Sequence, residues 1–318
     1  MIIEQKLEGF DNKLSYSKLN YPQCSCGKCP KFYWNMLSIA SRQSGKTYTI
    51  CQMIKHYEKN KIMKDNQEYK LRTILISPTI QANEIYKSLS SLDLENDSYD
   101  DYSDDILLKI IDDVKQRKKD FEDWLEYVEF YKLFLKTKDD KLETLYDKNP
   151  EMFKKLEDND FKHYNDMEHK NPEVAIILLD DLLGTGSFST KHKSALTNAL
   201  IKNRHLGINF AILSQSLKSV PKNIRLNCSV FFLGKFQNKK IVLEDIYEEI
   251  SNVCKIEEFD ELYTYATDKP YGALIVDCSG NGKRFLSNFD TELFLQKKIF
   301  VYIKNEPRKL RRRRRHRT

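Results

Sequence analysis

The sequence predicts an α/β fold: a mainly parallel central sheet flanked by helices, with a helical insertion between its second and third strands. Three observations predict it. Five short apolar runs recur along the 318 residues, and most lack polar alternation, as expected of parallel strands covered on both faces. Helix-compatible stretches separate the runs, which is the rhythm of a parallel sheet. One long stretch rich in Lys, Glu, Asp and aromatics interrupts that rhythm once.

Residues Met1–Pro30 read as an irregular lead-in. Trp34–Ala40 is the first strand, and Thr47 to about Tyr57 is the first helix. Arg72–Ser77 is the second strand. Asp104 to about His169 (insertion 104–170) then carries Ile106, Ile110, Val114, Phe121, Leu125 and Val128 at helical spacing, which predicts two to four amphipathic helices. Strands resume at Val174–Leu179, Ile208–Ser214 and Ser229–Phe236. Ala273–Cys278 and Arg284–Asn288 flank Ser279-Gly280-Asn281-Gly282, and Asn-Gly between apolar runs signals a hairpin. Leu293–Ile303 is expected to be one more strand. The domain plan is thus a lead-in over 1–30, one domain over 31–304 and a tail over 305–318.

The net charge of +6 is unevenly spread. Eight of the 53 basic residues lie in the last eleven, leaving 45 bases against 47 acids elsewhere. Arg311, Arg312, Arg313, Arg314 and Arg315 are unbroken, and like charges in such a run repel, so a disordered tail is expected. Two functional readings stand, non-specific nucleic-acid binding by counterion release and a nuclear address, beside a merely solvated tail. No apolar run reaches membrane-spanning length and no secretory leader is visible at Met1, so a soluble intracellular protein is expected. Seven scattered cysteines argue against a disulfide framework.

Ala40–Thr47 reads Ala-Ser-Arg-Gln-Ser-Gly-Lys-Thr. It fits the phosphate-binding loop G-x-x-x-x-G-K-[ST], the Walker A pattern, except that Ala40 replaces the first glycine. A tight loop entering a helix turns several N–H groups inward to hold phosphate oxygens. Ser41, Arg42, Gln43, Ser44, Gly45, Lys46, Thr47 and Tyr48 are therefore the candidate nucleotide-binding residues. Lys46 would meet the β- and γ-phosphates of ATP, and the Thr47 hydroxyl would ligate Mg²⁺.

Glu173–Asp181 delivers two carboxylates at the end of an apolar run, and ligands of open parallel sheets sit at that edge. Asp180 would hold Mg²⁺ and Asp181 would polarise the attacking water. Gly184 and Gly186 follow as a loop. Gln215 ends the next strand, where it either senses the γ-phosphate or bonds a turn. Arg204, ahead of the expected helix stop Gly207, and Arg225, after Pro221, are candidate arginine fingers toward a neighbouring subunit; helix-end arginines also serve simply as dipole partners.

Taken together, these residues resemble the FtsK–HerA superfamily of P-loop ATPases with RecA-like domains, and within it the poxvirus-type genome-packaging ATPases of large DNA viruses. The resemblance covers about Lys31–Phe289. It is most specific over Arg204-His205-Leu206-Gly207-Ile208-Asn209 through Gln215, and over Val220-Pro221-Lys222-Asn223-Ile224-Arg225-Leu226-Asn227. The Ile-Leu-Leu-Asp-Asp strand and Ser77-Pro78-Thr79 add to it. It implies Lys46 and Thr47 as nucleotide and Mg²⁺ residues, Asp180 as metal carboxylate, Asp181 as catalytic carboxylate, Gln215 as sensor and Arg204 as first choice of finger. It further implies a homo-oligomeric ring of five or six subunits that hydrolyses ATP, threads double-stranded DNA and packages a viral genome, with capsid portal or vertex proteins as partners. The expected location is the host cytoplasm or the virion, with the nucleus admitted by the arginine tail. Ser41-Arg42-Gln43-Ser44 departs from the branch and looks more like the large terminase subunits of tailed phages, in which Arg42 would contact the nucleotide. The alternatives are a terminase-like packaging ATPase and a non-catalytic nucleic-acid-binding module with a relic loop.

Cys24, Cys26 and Cys29 form Cys-x-Cys-x-x-Cys just before the first strand. They either hold Zn²⁺, with Cys51 or a histidine completing the set, or form a reduced loop. Cys228, Cys254 and Cys278 read as buried small hydrophobes.

Overall fold

The computed structural model describes residues 21–167, 171–182, 194–236, 238, 242–250, 254–279 and 284–295. The Gly184/Gly186 loop, the tip of the predicted hairpin at 280–283 and the arginine tail lie outside them. The chain is α/β with a mostly parallel central sheet flanked by helices, and the insertion falls where the sequence places it.

In chain order the elements are β1 (Gln23–Cys24), β2 (Asn35–Ile39), α1 (Lys46–Glu58), β3 (Ile62–Lys64), β4 (Gln67–Ile76) and β5 (Ser98–Tyr99). The insertion holds α2 (Asp104–Lys136), α3 (Leu142–Lys148) and α4 (Pro150–Asp158). Then come β6 (Glu173–Asp180), α5 (Ala195–Leu206), β7 (Ile208–Ser214), α6 (Lys222–Arg225), β8 (Val230–Gly234), α7 (Tyr247–Ile250), α8 (Ile256–Thr267), β9 (Ala273–Asp277), β10 (Arg284–Ser287) and β11 (Thr291–Leu293).

The sheet order is β1-β3-β4-β6-β7-β2-β8-β9-β10-β11, with β5 pairing β4. The five central strands β4, β6, β7, β2 and β8 run parallel, and antiparallel strands close both edges. Parallel strands are buried on both faces, and side-chain direction alternates along each. Leu37, Ile39, Ile177, Leu179, Phe210 and Ile212 accordingly pack on one side with Leu107 and Ile110 of α2, Leu200 of α5 and Phe259 of α8. Met36, Ile176, Leu178, Ala211 and Leu213 pack on the other with Ile50, Met53, Ile54 and Tyr57 of α1.

The edges differ from the sequence reading. Residues 23–24 of the lead-in are a strand rather than irregular chain, paired with β3. The β3–β4 hairpin turns on Asp65 (φ 50°) and Asn66 (φ 64°), a two-residue turn of left-handed residues that extends β4 back to Gln67. A last strand is described at Thr291–Leu293, and residues 296–303 of the predicted one lie outside the described residues. In the insertion, Leu125 is 40% exposed, while Tyr127 and Phe130 build a separate small core with Phe153 and Leu156 of α4. The buried stripe of a 33-residue helix shifts as its packing partner changes from the sheet to α4.

Arg72 ties the insertion to the sheet. It donates two hydrogen bonds to Asp97 and another to Asp113 of α2, and its side chain is only 12% exposed. Removing it leaves the buried Asp97 carboxylate uncompensated, so Arg72→Ala is expected to cost about 3–5 kcal/mol, read as a lower urea midpoint. Burial raises the Asp113 carboxyl, but Arg72 and Arg117 outweigh it and hold its pKa below the ordinary value. The stability this lends is complete above the unfolded pKa, about 4, and is lost as pH falls through the lower folded value. The acid limb of a Tm–pH curve should therefore flatten in Asp113→Asn.

Candidate functional site

The first glycine of the loop pattern is replaced by Ala40, and the neighbouring strand makes room for it. A Cβ on Gly234, at the end of β8, would lie 2.5 Å from the Ala40 Cβ. The extra methyl thus fills the space that a side chain would occupy at Gly234. Beyond Ala40 the chain turns through Gln43 (φ 59°) and Gly45 (φ 77°), and left-handed residues in such a loop turn successive N–H groups inward. Gly45 is the N-cap of α1 without a side-chain cap, and the first turn carries no acid. The unsatisfied N–H groups and the helix dipole at this end favour an anion.

The two carboxylates arrive from β6, whose last residue is Asp180. β6 is not the immediate neighbour of β2; β7 lies between them. Gln215 follows directly on β7 and sits between the two other motifs. Its Nε2 donates to Asp181 Oδ1 at 2.9 Å, and Asp181 is held at φ 56°. The Thr47 hydroxyl donates to Asp180 Oδ2 at 2.8 Å. Residues 41–48, Asp180, Asp181 and Gln215 all line one cleft of about 540 Å³. A larger cleft of about 830 Å³ adjoins it at Gly45 and Tyr48, but Lys46 and the paired aspartates do not line it, so the candidate residues gather in the smaller one.

Burial lowers the Lys46 pKa from its ordinary value, and the charges of Asp180 and Asp181 oppose that shift. The lysine therefore lies within electrostatic reach of both carboxylates. Tyr86 was not foreseen: it is buried, and its hydroxyl donates to the same Asp180 Oδ2 at 2.5 Å. It comes from a short 3₁₀ turn, Glu84–Ser88, with no sequence pattern to mark it. Burial first, then the Asp180 charge, pushes the phenol pKa well up, which keeps the proton available for donation.

The donor set suits a magnesium nucleotide. Adjacent oxygens on an octahedral Mg²⁺, each about 2.05 Å from the ion, stand about 2.9 Å apart; the Thr47 and Asp180 oxygens stand at 2.8 Å. The buried Ser44 hydroxyl, inside the phosphate loop, has no protein hydrogen-bond partner among the described residues. A phosphate oxygen would supply one.

The two arginines do not join this cleft. Arg204 ends α5 and shares a separate cleft with Tyr33, Arg117 and Glu173. Glu173 begins β6 and Asp180 ends it, so Arg204 lies at the opposite edge of the sheet, roughly 20 Å from the aspartates at about 3.3 Å per residue. It is exposed and does not reach the cleft of its own chain. Arg225 pairs with the buried Glu249 at 3.0 Å and is 17% exposed. That pairing, rather than a free finger, is its state here.

Cys24, Cys26 and Cys29 converge. Cys51 is not among them: it is fully buried in the core under α1. Cys228, Cys254 and Cys278 are half-buried rather than buried.

No family model and no curated protein matches the sequence. Among solved structures, the chain is similar to the genome packaging NTPase B204 from Sulfolobus turreted icosahedral virus 2 in complex with AMP, at 14% identity and TM-score 0.40, over 83% of this chain and 97% of that one. The sulfate complex of the same protein gives 14% identity and TM-score 0.43, over 80% and 94%. EssC (ATPases 2 and 3) from Geobacillus thermodenitrificans gives 15% identity and TM-score 0.43, over 80% of this chain and 39% of that one. Likenesses this loose concern fold, and neither activity nor partner follows from them.

Proposed function

We propose that the chain is an ATPase of FtsK–HerA type, a motor that moves double-stranded DNA and packages a viral genome. The observation that carries the ATPase reading is the meeting of Thr47 with Asp180 at 2.8 Å, beside the Gln215–Asp181 pair at 2.9 Å. Three separate strand ends supply these groups, and all of them are chemically intact. A relic phosphate loop would have no reason to keep them in register.

The roles follow from position. The loop N–H groups and Lys46 hold the β- and γ-phosphates. Thr47 and Asp180 hold Mg²⁺, which when bound neutralises charge on the phosphate oxygens. Asp181 accepts a proton from water as the water oxygen attacks the γ-phosphorus; the bond to the β–γ bridging oxygen breaks, leaving ADP and phosphate. Gln215 fixes the carboxylate that does this. Tyr86 orients Asp180 from behind.

Motor function adds a ring of five or six copies, with Arg204 reaching the γ-phosphate of the next subunit. DNA would pass through the ring, and the tail Arg311–Arg315 would raise local DNA affinity or meet a capsid portal or vertex protein. No helix among the described residues is long and apolar enough to cross a membrane.

The test is ATP turnover of the full chain with and without linear duplex DNA, read beside the size of the assembled particle. A motor gives basal turnover that rises with DNA, in a particle of several subunits. Turnover should persist when residues 308–318 are removed. Absence of turnover in both forms would establish a non-catalytic module instead.

A further inference from the structure

We infer that Cys24, Cys26 and Cys29 bind a zinc ion through their three thiolates, with His56 brought in from α1 as fourth ligand. The site is separate from the nucleotide cleft, and the inference stands whether or not the chain hydrolyses ATP.

The sulfur geometry is the first support. Thiolates about 2.3 Å from one tetrahedral ion stand about 3.8 Å apart. The Sγ atoms of Cys24 and Cys26 are 3.1 Å apart, those of Cys26 and Cys29 are 3.7 Å apart, and all three lie within 4.8 Å of one another. To admit the ion, Cys24 and Cys26 have to part by about 0.7 Å, whereas Cys26 and Cys29 already stand at nearly the required separation.

The backbone is the second support. The turn Cys26-Gly27-Lys28-Cys29 passes through Gly27 at φ 63°, a left-handed position that glycine takes without strain. The Lys28 N–H donates to Cys26 Sγ at 3.4 Å. A donated N–H favours the thiolate over the thiol, which is the form a metal requires. The loop is held independently of the sulfurs: Cys24 pairs with Ile62, Ser25 N donates to Lys61 O at 2.8 Å, and the Tyr57 hydroxyl donates to Pro30 O at 2.6 Å. The cluster is therefore positioned by the fold rather than drawn together by chance contact.

Among the described residues only the three sulfurs converge, so the fourth ligand has to swing in from the helix. His56 lies in the last turn of α1 and lines the same cleft as Cys29. A disulfide explains the cluster less well, because it takes two sulfurs and leaves the third over. Zinc here would clasp the β1 edge to the C-terminal end of α1, the helix whose other end is the phosphate loop.

The experiment measures zinc in the full-length chain purified without added metal, then titrates the chelator-stripped protein with Co²⁺. The expected result is about one zinc per chain, and tetrahedral cobalt bands with strong thiolate-to-cobalt charge transfer. Cys26→Ser should lose the zinc, Cys278→Ser should keep it, and His56→Ala should weaken zinc binding at least about tenfold. Because a cysteine variant could fail to fold, the unmodified chain decides. Absence of both zinc and the cobalt charge-transfer band overturns the proposal, as does a disulfide within residues 24–29 found by mass spectrometry without reductant. Unchanged cobalt bands in His56→Ala overturn the role of His56.

Discussion

Lys46→Ala is expected to lower ATP turnover at least about a hundredfold while leaving the fold intact. The charge it removes sits in the first residue of α1, inside the phosphate loop and in the field of two carboxylates. Neighbouring donors do not replace it, because backbone N–H groups carry only partial charge. The fold should survive for two reasons. Alanine is the best helix former, and removing a half-buried ammonium also removes its desolvation cost, which offsets the lost attraction to Asp180 and Asp181. The far-UV circular dichroism should match the parent, and Tm should stay within about 3 °C. Full turnover by the folded variant would remove the phosphate-loop assignment.

Asp181→Asn is the second large effect. The substitution keeps size and shape, and asparagine tolerates the left-handed backbone at φ 56°. Gln215 can still donate to the amide oxygen, so little should move. What disappears is the carboxylate that accepts the proton of the attacking water. The expected loss is about 10²- to 10⁴-fold in kcat, with nucleotide affinity nearly unchanged. Asp180→Asn should behave differently: with a metal ligand weakened, its activity should recover in part at high Mg²⁺. An equal loss of nucleotide binding in Asp181→Asn would show that the residue serves the ground state instead.

Much of this site was legible in the sequence because its chemistry is local. An apolar run must be a covered strand, and whatever follows it sits at the sheet edge. The Gly45-Lys46-Thr47 turn, the Asp180–Asp181 pair and Gln215 were each found in that way. Other parts had no local signature. Tyr86 is one tyrosine among eighteen, and its 3₁₀ turn has no periodicity to read. Ala40 looked like a blemish because its compensation, Gly234, lies far along the chain. Arg225 looked like a free helix-end arginine, since nothing adjacent announces Glu249. The hairpin from β3 to β4 is different: Asp65-Asn66 carries a local turn signal in the sequence, since both residue types tolerate the left-handed backbone they adopt there.

The sequence by itself determined the class of the fold, the order of its elements and the types of group offered to a ligand. These follow from hydrophobic periodicity and turn chemistry within a window of about ten residues. The tertiary structure alone decided which strand ends are neighbours. It set β7 between β2 and β6, brought the Thr47 and Tyr86 hydroxyls onto one oxygen of Asp180, and carried Arg204 to the opposite edge. Strand order is fixed by packing and pairing between distant segments, and hydrophobic pattern is the same for a strand in any position of a two-faced buried sheet.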